Sequence, residues 1–221
     1  MRSITIALAV ARKDLASEWR TREIVPALAQ FVVLALVIAN FGFQFDSRNA
    51  PAIAPGVLWM ALVFAGLVAF GRAFAAEREQ ASLEAMLMTP AMPAAIFAGK
   101  ALGAGLLLVI CEAVLLPALA LFFAVPLTFD EVSAVLLATV GMAVLGCLFA
   151  AMVAQVRARE LLLPLLTLPL WIPFVVVGGQ AVQSAMGGGG TATGSANGLL
   201  LDLDILFVVL TSLAARFVLD D

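Results

Sequence analysis

The chain has 221 residues, 64% of them hydrophobic and 12% charged, with two Cys and neither His nor Tyr. A soluble domain carries roughly 25% charged residues, so this is a membrane composition. Without histidine the chain can build no Ser-His-Asp triad, no His-x-x-x-His zinc site and no histidine-ligated haem; two isolated cysteines make no disulfide framework, and a net charge of −3 argues against a nucleic-acid partner.

Residues 1–23 open with a short apolar run, Ile4 to Ala11, followed by Arg12-Lys13-Asp14 and not by a small-residue cleavage site. Ile4, Leu8, Ala11, Leu15 and Trp19 recur at helical spacing, with Arg12, Lys13, Arg20 and Arg22 away from that stripe. The pattern predicts an amphipathic helix in the membrane interface, with Trp19 at headgroup level. Its plainer reading is a positively charged anchor with no further role.

Crossing a bilayer takes about 20 predominantly apolar residues. Six such stretches follow, at about 24–45, 55–72, 101–123, 132–155, 161–183 and 199–219, and together they make residues 24–221 one transmembrane domain. The glycine run at 187–190 argues for a loop between the last two, extending to Gly198. All basic residues except Arg48 fall on one side if both termini are cytoplasmic, which sets the expected topology. The fold class expected is an all-α membrane protein with six spans and an N-terminal interfacial helix.

Few residues carry chemistry. Gly99-Lys100 lacks the first glycine and the Ser/Thr of a P-loop, so ATP, if used, binds a partner. The 73–99 loop contains a strongly helix-forming segment, Phe74 to Met88, ended by Pro90 and Pro93. Leu83 and Leu87 share one face, and Glu77, Arg78, Glu79 and Glu84 project elsewhere. Such a helix can dock into a groove on a soluble partner; the alternative is a solvated loop.

Within the spans, Glu112 is the one deep carboxylate, about 18 Å along the helix from Lys100. It stands either on a pathway or subunit contact, or in an interhelical hydrogen bond. Pro164, Pro169 and Pro173 are expected to kink or break span five and, with Trp171, to stand with Glu112 on a pathway or subunit contact. Asp202 and Asp204 read as an interfacial helix end and not as a metal site. Gly99-x-x-x-Gly103 is a weak signal for a helix-contact face. Cys111, Cys147 and the methionines read mainly as packing residues.

The pattern Glu77-Arg78-Glu79-x-x-Ser82-Leu83-Glu84-x-x-Leu87-x-x-Pro90 resembles the cytoplasmic coupling segment of ABC export permeases, with Ala81 where such permeases often place Gly. Ile53-Ala54-Pro55-Gly56-Val57-Leu58-Trp59 and Leu168-Pro169-Leu170-Trp171-Ile172-Pro173 narrow the resemblance to CcmB-type permeases, the haem exporter B subunits of bacterial cytochrome c maturation. The resemblance covers essentially the whole chain.

It implies the ABC exporter permease fold in a bacterial inner membrane, as a non-catalytic subunit. Glu77, Arg78, Glu79, Ser82, Leu83, Glu84 and Leu87 would receive motion from separate ATPase subunits, which hold the ATP. Further partners implied are a second membrane subunit (another copy or a haem-handling sister), a periplasmic haem chaperone and membrane lipid. Haem would be a substrate handled by partners, and no cofactor is expected on this chain. Three rivals stay open: an ABC permease exporting a lipid-linked sugar or drug, a secondary transporter or channel, and a membrane scaffold subunit that only holds a haem lyase or chaperone complex together. Against the second, no paired intramembrane charges or inverted repeat are visible.

Overall fold

Backbone polar groups in hydrocarbon must be paired within the chain, so a spanning segment this apolar is driven into helix. The computed structural model describes residues 2–21, 24–42, 50–73, 93–154, 156, 158–186 and 190–220. These form seven helices: α1 (Arg2–Thr21), α2 (Ile24–Gly42), α3 (Ala50–Ala73), α4 (Pro93–Phe123), α5 (Phe129–Val153), α6 (Arg159–Met186) and α7 (Gly190–Asp220). There is no strand among the described residues.

Each of α3 to α7 is long and apolar enough to cross a bilayer. The consecutive pair α1–α2 is bent by 74° and adds a sixth candidate if taken as one span. The described residues are thus all-helical in their regular structure and hold five to six candidate spans, as in a multi-pass membrane protein.

Three local expectations need correction. The helix of span two starts at Ala50 and that of span three at Pro93, both earlier than hydropathy alone placed them, because a helix continues past the apolar window wherever its backbone can stay paired. Pro93 occupies the first helical position, where the missing N–H has no intrahelical partner to lose.

The last helix begins at Gly190, so the stretch expected to be loop up to Gly198 is largely helical. Packing overrides the weak propensity of its glycines: Ala196 is buried, and Asn197 Nδ2 donates to Ser133 Oγ of α5 at 2.9 Å.

The third correction concerns the break expected in α6, which is one continuous helix through Pro164, Pro169 and Pro173. Its buried stripe is Leu163, Thr167, Trp171, Phe174, Gly178, Val182 and Met186. The prolines lie off that stripe: Pro169 is exposed, and Pro164 and Pro173 are half-buried. Each proline removes one backbone bond, while contacts on the stripe hold the turns on both sides.

Those contacts pair aromatic side chains with glycines. A Cβ added at Gly178 (α6) would fall within 3.0 Å of the Trp59 indole (α3), and one at Gly66 (α3) within 3.0 Å of the Trp171 indole (α6). The same holds for Gly146 (α5) against Phe70 (α3), and for Gly141 (α5) against Phe174 (α6). Rings thus sit where the facing helix has no side chain. Phe70 and Trp171 also meet edge-on, with ring centroids 5.9 Å apart.

Facing pairs also report direction. Along α3 and α6, Trp59 meets Gly178, Gly66 meets Trp171 and Gly71 meets Leu163, so the two helices are antiparallel. Along α5 and α7, Ser133 meets Asn197 and Gly141 meets Asp204, so these run parallel. The 18-residue apolar windows of α3 and α5 are each 61% buried, against 22% for α7, which places α3 and α5 at the centre of the bundle.

The described connection between α4 and α5 is a short turn. Ala124 ends α4 with φ at 51°, the left-handed conformation that stops a helix. Thr128 then caps α5, its Oγ1 accepting from Glu131 N at 3.3 Å. Thr128-x-x-Glu131 has the spacing of a capping box.

Two stability outcomes follow. Gly178→Ala lowers the melting temperature of the detergent-purified chain, by about 1–3 kcal/mol of overpacking, and Trp59→Leu in the same chain recovers part of the loss; additive losses would contradict the pairing. Thr128→Ala destabilises by about 1 kcal/mol, read as an earlier thermal transition.

Candidate functional site

The N-terminal helix is amphipathic in three sectors. Ala7, Val10 and Ala11 are buried, and Asp14 and Glu18 project from the same side. Their partner is the start of α4, where Gly99 and Gly103 leave no side chain in the way. A Cβ at Gly99 would stand 2.6 Å from the Ala7 carbonyl oxygen, and one at Gly103 would stand 3.5 Å from Asp14 Cβ. The weak Gly99-x-x-x-Gly103 signal is therefore the seat of α1. Of the stripe Ile4, Leu8, Ala11, Leu15 and Trp19 expected as the apolar face, Ile4, Leu8 and Trp19 point outward, with Trp19 80% exposed, whereas Ala11 is buried against α4.

An ion pair fastens this contact. Lys100 Nζ lies 3.0 Å from Asp14 Oδ2, and the Lys100 side chain is 2% exposed. A buried ammonium is tolerated only with its counter-charge in place. At the other end of α1, Glu18 Oε1 accepts from Val25 N at 3.0 Å, which caps the first turn of α2 across the bend. The carboxylate satisfies one of the free N–H groups there and is favoured by the helix dipole. Two acidic residues one turn apart thus tie α1 to both α2 and α4. Sequence reasoning missed both ties, although an Asp and a Glu four apart on the small-residue face of a basic helix were a readable signal.

The segment 74–92 joins α3 to α4 and lies outside the described residues. Glu77, Arg78, Glu79, Ser82, Leu83, Glu84 and Leu87 all fall within it. What the structure does define is its two attachment points, the end of α3 and the clamped start of α4.

Deeper in the bundle, Glu112 of α4 is 2% exposed and accepts a short hydrogen bond from the Thr139 hydroxyl of α5. Its Oε2 has no hydrogen-bond partner among the described residues. The geometry is that of an interhelical tie. Asp204 corrects an expectation: it is not at a helix end, because α7 begins at Gly190. It is 7% exposed, and a Cβ at Gly141 would stand 2.6 Å from its Oδ1.

The bundle therefore holds a second deep carboxylate. Thr139 and Gly141 are two positions apart on α5, so Glu112 and Asp204 face nearly opposite sides of that helix. They form no paired site.

Pro164, Pro169 and Pro173 line no described cavity, and Trp171 is packed on Gly66 and Phe70 as above. Cys111 and Cys147 are buried thiols outside any disulfide, and Cys147 Sγ donates to the Phe97 carbonyl at 3.8 Å. Among the described residues no three His, Cys, Asp or Glu side chains are grouped to hold a metal ion. A shallow apolar groove of about 40 Å³ runs between α2 and α4, lined by Leu28, Val32, Leu107, Ile110, Cys111 and Val114. It is far too small to enclose a ligand of haem size. What the arrangement can do is mechanical: hold the base of α4 rigidly against α1 and α2.

Removing the counter-charge tests that hold. Asp14→Asn removes the carboxylate facing Lys100 and destabilises the chain by about 3–5 kcal/mol, whereas Asp14→Asn with Lys100→Met loses less than Asp14→Asn alone. Thermal unfolding in detergent reads both, and a double variant worse than the single contradicts a buried pair.

Comparison with known proteins matches residues 5–220 to the family model described as CcmB protein. The heme exporter protein B of Paracoccus denitrificans is 31% identical over 164 residues, covering 73% of this chain and 75% of the relative. That of Rhodobacter capsulatus is 32% identical, covering 69% and 71% respectively. That of Pseudomonas aeruginosa is 30% identical, covering 71% and 72%. With a family match across nearly its whole length, the chain belongs to the CcmB family.

Proposed function

We propose that this chain is the permease subunit of an ATP-driven haem-export complex of the bacterial inner membrane, with both termini cytoplasmic. It acts in haem delivery for cytochrome c maturation and carries no catalytic site of its own. ATP is bound and hydrolysed by a separate ATPase subunit that engages the 77–90 segment. The useful output is release of the haem-loaded periplasmic chaperone, with haem itself handled by a sister membrane subunit.

Family membership and the relatives' name, heme exporter protein B, support haem export. The observation that carries the coupling is the clamped start of α4. A push on residues 77–90 is useful only if the helices it reaches move as bodies. Lys100 with Asp14, and Gly99 under Ala7 and Val10, give α4 such a base. At the other attachment point, α3 is locked to α6 through Trp59, Gly66, Trp171 and Gly178. Displacement entering at residues 77–90 would therefore act on α3 with α6 at one end of the segment and on α4 with α1 at the other. The absence of histidine from the chain supports leaving haem ligation to a partner.

Leu83→Asp with Leu87→Asp tests the docking surface directly. The expected result is loss of ATPase co-purification and of haem-chaperone release, with the chain still inserted in the membrane at its usual level. Intact co-purification and intact release would overturn the reading. A strain lacking the chain is expected to load the chaperone and fail to release it.

A further inference from the structure

The ties from α1 to α2 and α4 occupy one side of that helix; the two other sides are left to its surroundings. At about 100° per residue, Ile4, Leu8, Leu15 and Trp19 share an arc of roughly 60°. Arg12, Arg20 and Lys13 occupy the adjoining arc, and all three are exposed. Ala7, Val10, Ala11, Asp14 and Glu18 fill the arc facing α2 and α4. Acidic residues of the helix core thus face protein, and basic ones flank the outward apolar strip. Ile4, Leu8 and Trp19 are 69%, 58% and 80% exposed on a chain whose spans place it in a bilayer.

We propose that α1 binds anionic phospholipid headgroups through Arg12, Lys13 and Arg20, with Ile4, Leu8, Leu15 and Trp19 set into the outer acyl region, so that the helix is a lipid-held strut under α4. Charge complementarity selects the occupant. Three cations beside an apolar strip that carries a tryptophan match the boundary between acyl chains and negatively charged headgroups. The glycine contact and the Asp14–Lys100 pair make this hold consequential. If α1 leaves the surface, Lys100 loses its ion pair with Asp14, and the base of α4 loosens with it. The inference stands on the geometry of α1 and does not depend on which substrate the complex moves.

The test uses the full-length chain purified in a neutral detergent. Phosphatidylglycerol, phosphatidylcholine and inorganic phosphate are titrated separately while the melting temperature is followed. Phosphatidylglycerol is expected to raise it well beyond phosphatidylcholine. The variant R12Q/K13Q/R20Q should bind phosphatidylglycerol about 100-fold more weakly, at about 1 kcal/mol per basic residue at an anionic surface. R12K/R20K should respond as the wild type.

An unchanged response in the neutral variant overturns the proposal, as does an equal shift from phosphatidylcholine or phosphate. Loss of ATPase co-purification with the lipid response intact assigns the basic sector to a protein partner and also overturns it. Should the neutral variant fail to fold, native mass spectrometry of the wild-type chain decides. Retained phosphatidylglycerol that added phosphatidylcholine does not displace is expected, and free exchange between the two contradicts the proposal.

Discussion

Helices in a bilayer gain little from hydrophobic burial against one another, since the lipid they leave is as apolar as the surface they cover. Close packing has to supply the specificity, and here it comes from rings set on glycines. Trp59 on Gly178 and Trp171 on Gly66 bind α3 to α6 reciprocally, at two levels of the membrane. Phe70 on Gly146 and Phe174 on Gly141 bind the same two helices to α5. Many small dispersion contacts accumulate around each ring, and a methyl group in any of the four gaps pushes a helix away. The continuity of α6 depends on this frame, because three prolines would otherwise leave it free to bend.

Around this frame the polar groups act as ties between neighbours. Glu112 with Thr139 joins α4 to α5, Asn197 with Ser133 joins α7 to α5, and Glu18 with Val25 joins α1 to α2. The Lys100–Asp14 pair is the strongest of them electrostatically and sits where α4 meets α1. The frame and the strut thus meet the two ends of the 74–92 connection. At one end α3 is locked to α6, and at the other α4 is held by α1, with α5 tied to both through Phe70 on Gly146 and Glu112 with Thr139. The proposed coupling acts between those two ends.

Composition made the membrane class legible, and unbroken apolar runs located the helices α2 to α7. Amphipathic spacing likewise gave α1. Helix ends were less legible, because hydropathy reports the hydrocarbon boundary while hydrogen bonding sets the end of a helix; Ala50, Pro93 and Gly190 all lie beyond the apolar windows. The prolines of α6 pointed to a break, since no local rule shows that they avoid the packed stripe.

Asp204 read as interfacial only because Gly190 to Gly198 read as loop. Trp59 and Trp171 stood out as residues carrying a family resemblance; their facing glycines could not be identified without the antiparallel register of α3 and α6. The residues from Glu77 to Leu87, the clearest functional signal in the sequence, lie outside the described residues, so their role rests on pattern and family.

The most direct measurement is a pair of spin-label distances in the complex assembled with its ATPase. Labels at Arg72→Cys and Ala98→Cys report between the two ends of the 74–92 connection, at the end of α3 and the start of α4. Labels at Arg72→Cys and Glu160→Cys report within the locked α3–α6 pair. The account predicts that the first distance changes by several ångström between the nucleotide-free and ATP-bound states while the second stays constant. A first distance that does not respond to ATP, or a second that changes as much as the first, would contradict it.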